Sequence, residues 1–184
     1  MRKKLIAIVA VAAAFGAWAD TETVGGYTWK YWTYGSGAEV AGVKPATGTV
    51  TIPSTLGGSP VTKVRNSAFY GCSGLTGVSI PSSVTSIESY AFYGCSGLRN
   101  VAMPVSVKTL GDGVFQNCTG LESVSIPVSI TAIPYNAFYG CTSLRTLDLP
   151  VTVKLIGSYA FYGCVSLSSV SIPFSVKSIG DYSF

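Results

Sequence analysis

Residues 89–98 read Ser89-Tyr90-Ala91-Phe92-Tyr93-Gly94-Cys95-Ser96-Gly97-Leu98, and three periods later the chain repeats itself as Ser158-Tyr159-Ala160-Phe161-Tyr162-Gly163-Cys164-Val165-Ser166-Leu167. Cysteine occurs at 72, 95, 118, 141 and 164 and nowhere else, a spacing of 23 residues each time. The same period carries Phe69, Phe92, Phe115, Phe138, Phe161 and Phe184, then Leu75, Leu98, Leu121, Leu144 and Leu167, then Pro81, Pro104, Pro127, Pro150 and Pro173. Self-similarity at a fixed period of this size marks a solenoid. Any function is therefore to be sought on a repeated surface and not in a single pocket.

One rung, Leu75 to Gly97, shows how the period is spent. Leu75, Val78 and Ile80 fit the leucine-rich-repeat strand pattern, with Val78 and Ile80 on one face and Gly77 and Ser79 on the other. Pro81 lacks the N–H that a longer ladder needs, and ends the strand. Val84 and Ile87 suit a second short extended segment. Ser89 to Tyr93 lead into a tight turn closed by Gly94 and Cys95. The inward set is then Leu, Val, Ile, Val, Ile, Ala, Phe and Cys, and each column recurs with conservative exchanges, as in Ala68, Ala91, Val114, Ala137 and Ala160. A single rung cannot bury such a face alone, so neighbours must stack and fold together.

These readings predict an α/β-type leucine-rich-repeat solenoid with short parallel strands, short helical turns and an N-terminal β-hairpin cap. Residues 1–19 read as an export signal: Arg2, Lys3 and Lys4, an apolar run from Leu5 to Phe15, and Ala17-Trp18-Ala19 as a small-residue cleavage site. That run is too short to span a bilayer, which takes about 20 residues. Residues 20–48 form the cap, in which Tyr27 to Tyr34 alternate as a strand, Gly35-Ser36-Gly37 turns, and Ala38 to Val43 return. Its aromatic residues cover the end of the core; stacking of Trp29 and Trp32 on sugars is the alternative reading. Residues 49–184 form the solenoid. Its first rung is irregular, with a loop around Leu56 to Pro60, and its last is incomplete at Phe184, which suggests a longer protein.

The phrase Ser-Val-x-Ser-Ile-x-x-Tyr-Ala-Phe-Tyr-Gly-Cys-x-x-Leu-x-x-Val-x-Ile-Pro, legible with small changes at 83–104 and 152–173, resembles the BspA-like class of bacterial leucine-rich repeats. The resemblance implies a secreted or cell-surface repeat protein, with adhesion to host or matrix proteins known for some members. It implies no catalytic residues. Where ordinary leucine-rich repeats carry asparagine beyond the strand, this chain has Ser83, Ser106, Ser129, Thr152 and Ser175, a hydroxyl column suited to bonding turn backbone.

The chain has no histidine, which removes the commonest general base and most zinc sites. No enzyme activity and no cofactor are expected. Without Arg2, Lys3 and Lys4, nine Lys and Arg stand against eight Asp and Glu, a net charge of +1. Such a balance gives no footprint for nucleic acid or anionic lipid, and no membrane insertion is expected once the signal is removed. The cysteines, flanked by apolar residues, read as buried free thiols. Asn117-Cys118-Thr119 matches a glycosylation sequon by chance, since its middle residue belongs to the core column.

Two columns are candidates for binding an extracellular protein or glycan. Arg99, Glu122 and Arg145 alternate in sign on successive rungs, which suits an ion-pair ladder of little energetic weight. Tyr70, Tyr93, Tyr139 and Tyr162 form a column broken by Gln116, with Tyr90, Tyr135, Tyr159 and Tyr182 beside it. Tyrosine gives large contact area at small entropic cost, and serves equally as a cover on a turn. The expected role is non-enzymatic binding or adhesion at the cell surface or outside the cell, the alternative a structural spacer within a larger surface protein.

Overall fold

A computed structural model of the chain describes residues 19–43 and 45–184; the expected export signal, apart from Ala19, lies outside them. From Gly48 onward each rung of the solenoid visits two parallel ladders. The first joins Gly48–Thr51, Leu75–Ser79, Asn100–Ala102, Ser123–Ser125 and Thr146–Asp148, and continues as a bridge to Ser171. Residues one period apart lie side by side, as in Val101 beside Val124 beside Leu147. Proline follows the next residue of each rung, which limits these strands to three to five residues in the repeats. The second ladder runs through Ser86–Ile87 and Thr109–Leu110 and resumes at Ala132–Ile133, Leu155–Ile156 and Ser178–Ile179.

The described residues contain no helix, which corrects the expected helical turns and the α/β class. The hydrogen bonds of the turn explain why. In the second rung Ala91, Tyr93 and Cys95 donate their N–H groups three residues back, to Glu88, Tyr90 and Phe92. The intervening N–H groups of Tyr90, Phe92 and Gly94 instead cross to Asp112, Val114 and Gln116 of the next rung at 2.9, 2.9 and 2.8 Å. A helix would take every N–H for itself. Here half the donors stitch rungs together, and φ is positive at Tyr90 and Gly94 (57° and 68°), which no right-handed helix accommodates.

The core is the inside of this coil. Phe69, Phe92, Phe115, Phe138 and Phe161 are buried and stack nearly parallel, with ring centroids 4.9–5.5 Å apart. Each thiol of Cys95, Cys118, Cys141 and Cys164 donates to the carbonyl of the phenylalanine one rung earlier at 3.0–3.2 Å. All five cysteines are buried. Burial pushes the Cys95 thiol up to about 12 and the Cys164 thiol to about 11, and raises Cys118 and Cys141 well above their ordinary value. The hydroxyl column also ties rungs together: Ser83, Ser129, Thr152 and Ser175 donate to the carbonyls of Val61, Val107, Ile130 and Val153 in the preceding rung, at 2.5–2.8 Å. Ser106 finds no such partner among the described residues.

The N-terminal end is built from three antiparallel strands, β1 (Asp20–Val24), β2 (Tyr27–Tyr34) and β3 (Gly37–Val43). After β4 (Gly48–Thr51), the hairpin of β5 (Thr55–Leu56) and β6 (Ser59–Val64) absorbs the extra length of the first rung around Gly57 and Gly58. β3 pairs in parallel with β6, and β6 with Ser86–Ile87, so the meander extends the second ladder outward. Trp29 is fully buried and meets Phe69 edge-on at 6.3 Å, closing the phenylalanine column. A ring so enclosed cannot stack on a sugar.

Candidate binding site

The turn side presents two columns of left-handed residues. One comprises Ser67, Tyr90, Gly113, Asn136, Tyr159 and Tyr182, with φ of 54–60°; the other comprises Gly71, Gly94, Asn117, Gly140 and Gly163, at 59–76°. Each turn therefore passes twice through left-handed backbone within five residues. Glycine and asparagine suit such a position, whereas a bulky residue there costs roughly 1–2 kcal/mol. Three tyrosines occupy it nonetheless.

These tyrosines pack against the expected column. Tyr70 and Tyr93 stack at 4.6 Å with rings 6° from parallel, and Tyr139 and Tyr162 at 5.4 Å. Within a rung, Tyr90 meets Tyr93 edge-on at 6.1 Å and Tyr159 meets Tyr162 at 5.7 Å. Tyr159 also stacks on Tyr182 at 5.2 Å and meets Tyr135 edge-on at 5.9 Å. Tyr135 occupies the position before the left-handed one and so stands outside the column of Tyr90, Tyr159 and Tyr182. Gln116 divides the face in two. Over the gap, Tyr90 lies so close to Gly113 that a Cβ there would come within 2.5 Å of its ring, and Asn117 donates from Nδ2 to the Tyr93 hydroxyl at 3.1 Å. That bond occupies the nitrogen a sequon would need free.

Stacked rings turn their faces to one another and their edges to solvent. What the face offers is a row of ring edges and phenolic hydroxyls, half-buried to exposed along its length. Partial desolvation, with Tyr182 and Tyr135 close by, raises the Tyr159 phenol above its ordinary value. The arrangement suits edge contacts and hydrogen bonds to a large partner more than face stacking on a sugar.

The charged column is looser. Arg99 Nη1 lies 3.0 Å from Glu122 Oε1, with both side chains well exposed. Arg145 joins Glu122 only through its backbone N–H, at 3.1 Å; its side chain makes no ion pair among the described residues. The structure thus places Arg99 and Glu122 together and leaves Arg145 apart. A tighter cluster escaped the sequence reading. Glu39 on β3 is nearly buried and holds Lys63 at 2.8 Å and Arg65 at 3.0 Å, while Arg65 lies over the rings of Trp32 and Tyr34 at 5.7 and 5.8 Å. The β3–β6 pairing brings Glu39 opposite Lys63, a juxtaposition across the cap and the first rung that no local pattern encodes.

A family model described as a BspA type leucine-rich repeat region matches residues 62–184 in six copies. The chain belongs to this family. Among curated proteins none matches it. Of solved structures, it is similar to a leucine-rich repeat protein of T. pallidum, with 28% identity and a TM-score of 0.72 over 86% of each chain. A leucine-rich cell surface protein of Faecalibacterium prausnitzii shares 26% identity and a TM-score of 0.51, over 86% of this chain and 55% of that one. The pneumococcal vaccine antigen PcpA, at 21% identity and a TM-score of 0.55 over 87% and 51%, shares the fold. The BspA-type chain thus spans little more than half of the latter two. No helix among its described residues is long and apolar enough to cross a membrane.

Proposed function

We propose that this BspA-type chain is a non-enzymatic binding or adhesion module, exported to the cell surface or beyond, and that the tyrosine face is its binding site for an extracellular protein. One observation carries the reading: three tyrosines are held in strained left-handed backbone, and their rings extend stacks whose edges and hydroxyls face outward. A bulky residue kept in strained backbone at the surface motivates a functional reading. The composition of the face, tyrosine with serine, glycine and asparagine, is that of protein-binding loops. Tyr70, Tyr93, Tyr139 and Tyr162 supply the contact area, because the strands of the first ladder expose mainly serine, threonine, alanine and glycine. Anchors in interfaces are typically Tyr, Trp and Arg. Arg99 and Glu122 are at most a rim. Location at the cell surface is supported by the description of the Faecalibacterium relative as a cell surface protein and by the signal-like residues 1–19.

The test is attachment to immobilised extracellular matrix proteins by the wild type and by a variant in which Tyr93, Tyr139 and Tyr162 are changed to Ser. The variant is expected to keep its far-ultraviolet dichroism and lose attachment. Retained attachment would move the site to the sheet face around Arg99, Glu122 and Arg145. Failure of the wild type to attach to any of them would favour the spacer role.

A further inference from the structure

A second repeated surface lies at a different corner of the rung, where the chain turns after each strand-ending proline. Pro81, Pro104, Pro127, Pro150 and Pro173 are followed by Ser82, Val105, Val128, Val151 and Phe174. The three valines are 74%, 62% and 65% exposed, and Phe174 is 92% exposed. Standing on successive rungs about 4.8 Å apart, they make an apolar ridge roughly 14 Å long. Isolated exposed valines need no explanation, but a contiguous row of them marks a contact surface.

Three residues further on, the column Thr85, Lys108, Thr131, Lys154 and Lys177 is exposed throughout. Backbone hydrogen bonds hold it in register: Lys108 donates to Thr85, Lys154 to Thr131 and Lys177 to Lys154, at 2.8, 2.8 and 2.7 Å. Lys108, Lys154 and Lys177 make no ion pair among the described residues. Lys154 and Lys177 stand on adjacent rungs with like charge, an arrangement that is unfavourable unless something neutralises it.

We infer that this corner is a peripheral docking surface for an anionic phospholipid bilayer. The valines and Phe174 enter the boundary between headgroups and acyl chains, while Lys108, Lys154 and Lys177 meet lipid phosphates, the combination by which interfacial segments bind membranes without crossing them. A second copy of the chain does not supply the counter-charge, because no two of its eight acidic residues share a column on adjacent rungs. The ridge also projects from turns, so a rigid partner would need a matching groove, whereas a bilayer yields around it. This surface is separate from the tyrosine face, and neither reading depends on the other.

The experiment is sedimentation of the chain from Asp20 to Phe184, which holds the cap and every described rung, with vesicles of phosphatidylcholine alone or mixed equally with phosphatidylglycerol. Binding is expected to be at least about tenfold tighter to the mixed vesicles and to weaken with salt. Changing Lys108, Lys154 and Lys177 together to Gln should weaken it by roughly a hundredfold, at about fivefold per lysine. Phe174→Ser combined with Val128→Ser should weaken it without changing the salt dependence. The variant lacking Tyr93, Tyr139 and Tyr162 should sediment like the wild type, which separates this surface from the adhesive one. Equal sedimentation with both vesicles, or full binding by the lysine variant, would overturn the inference. Full binding by the Phe174/Val128 variant, abolished by a soluble polyanion, would also overturn it and mark the lysine row as a strip for acidic polymers.

Discussion

The thiol of Cys118 lies 3.0 Å from the carbonyl oxygen of Phe92, one rung back, and that same oxygen already accepts the N–H of Cys95. The cysteine column therefore acts as a row of neutral donors, and its protonated form is the one the fold selects. All five thiols are expected to be silent to titration in native protein and to react together on unfolding. Fewer than five in denatured, unreduced protein would show that neighbouring rungs are bridged or oxidised.

Alkali should loosen the fold for the same reason. Burial first of all raises these thiols in the folded state, Cys95 from 9.0 to about 12. The native state then holds protons that the unfolded chain has released, so stability is complete below about pH 9 and falls as pH rises toward the folded values. The urea midpoint is expected to drop between pH 9 and 11. Cys141→Ala should make that drop shallower, and an unchanged slope in the variant would show that the cysteines are not its source.

Phe115 stands in the middle of the stack, 5.4 Å from Phe92 and 5.5 Å from Phe138. Phe115→Ala should cost about 3–5 kcal/mol and, because rungs are coupled, unfold in a single transition at lower urea. A midpoint equal to the wild type would contradict the burial of the whole column.

Glycine at 113 is favoured twice over, by φ of 60° and by the Tyr90 ring above it. Gly113→Ala should cost more than the roughly 1 kcal/mol of the backbone term alone. Gly26→Ala, at a positive φ with open space around it, measures that term by itself. Equal losses in thermal unfolding would mean that Tyr90 moves aside freely.

Two ion pairs of similar length should differ in weight. Glu122→Ala breaks an exposed pair and is expected to change stability by less than about 1 kcal/mol. Glu39→Ala removes a nearly buried carboxylate that binds two cations and joins cap to first rung, and should cost roughly 1.5–3 kcal/mol. Urea titrations at low and high salt check both, and only the first is expected to be sensitive to salt.

The columns of Phe, Leu and Cys were legible because each is nearly invariant at one spacing, and the strands because proline marks their ends. The turn was not. Tyr-Ala-Phe-Tyr is as compatible with a helical turn as with an extended arc, and what decides between them is hydrogen bonding to another rung. A signal existed in the column Ser67, Tyr90, Gly113, Asn136, Tyr159 and Tyr182, where Gly113 and Asn136 betray a left-handed backbone that the tyrosines conceal. The lysine row was hidden by averaging: a net charge near zero says nothing about three cations on one corner and acids scattered over others. The Glu39 cluster depends on how the meander docks on the first rung, which side-chain packing alone settles.

The alternation of hydrogen bonds along the turn, one within the rung and the next across to its neighbour, gives successive joints in the solenoid the same backbone pattern. A stretch of DNA encoding such repeats invites unequal crossing-over, and the deletion or duplication of a whole period would leave each remaining joint as it was. The number of rungs can thus vary among descendants of one gene while the columns of the core are retained.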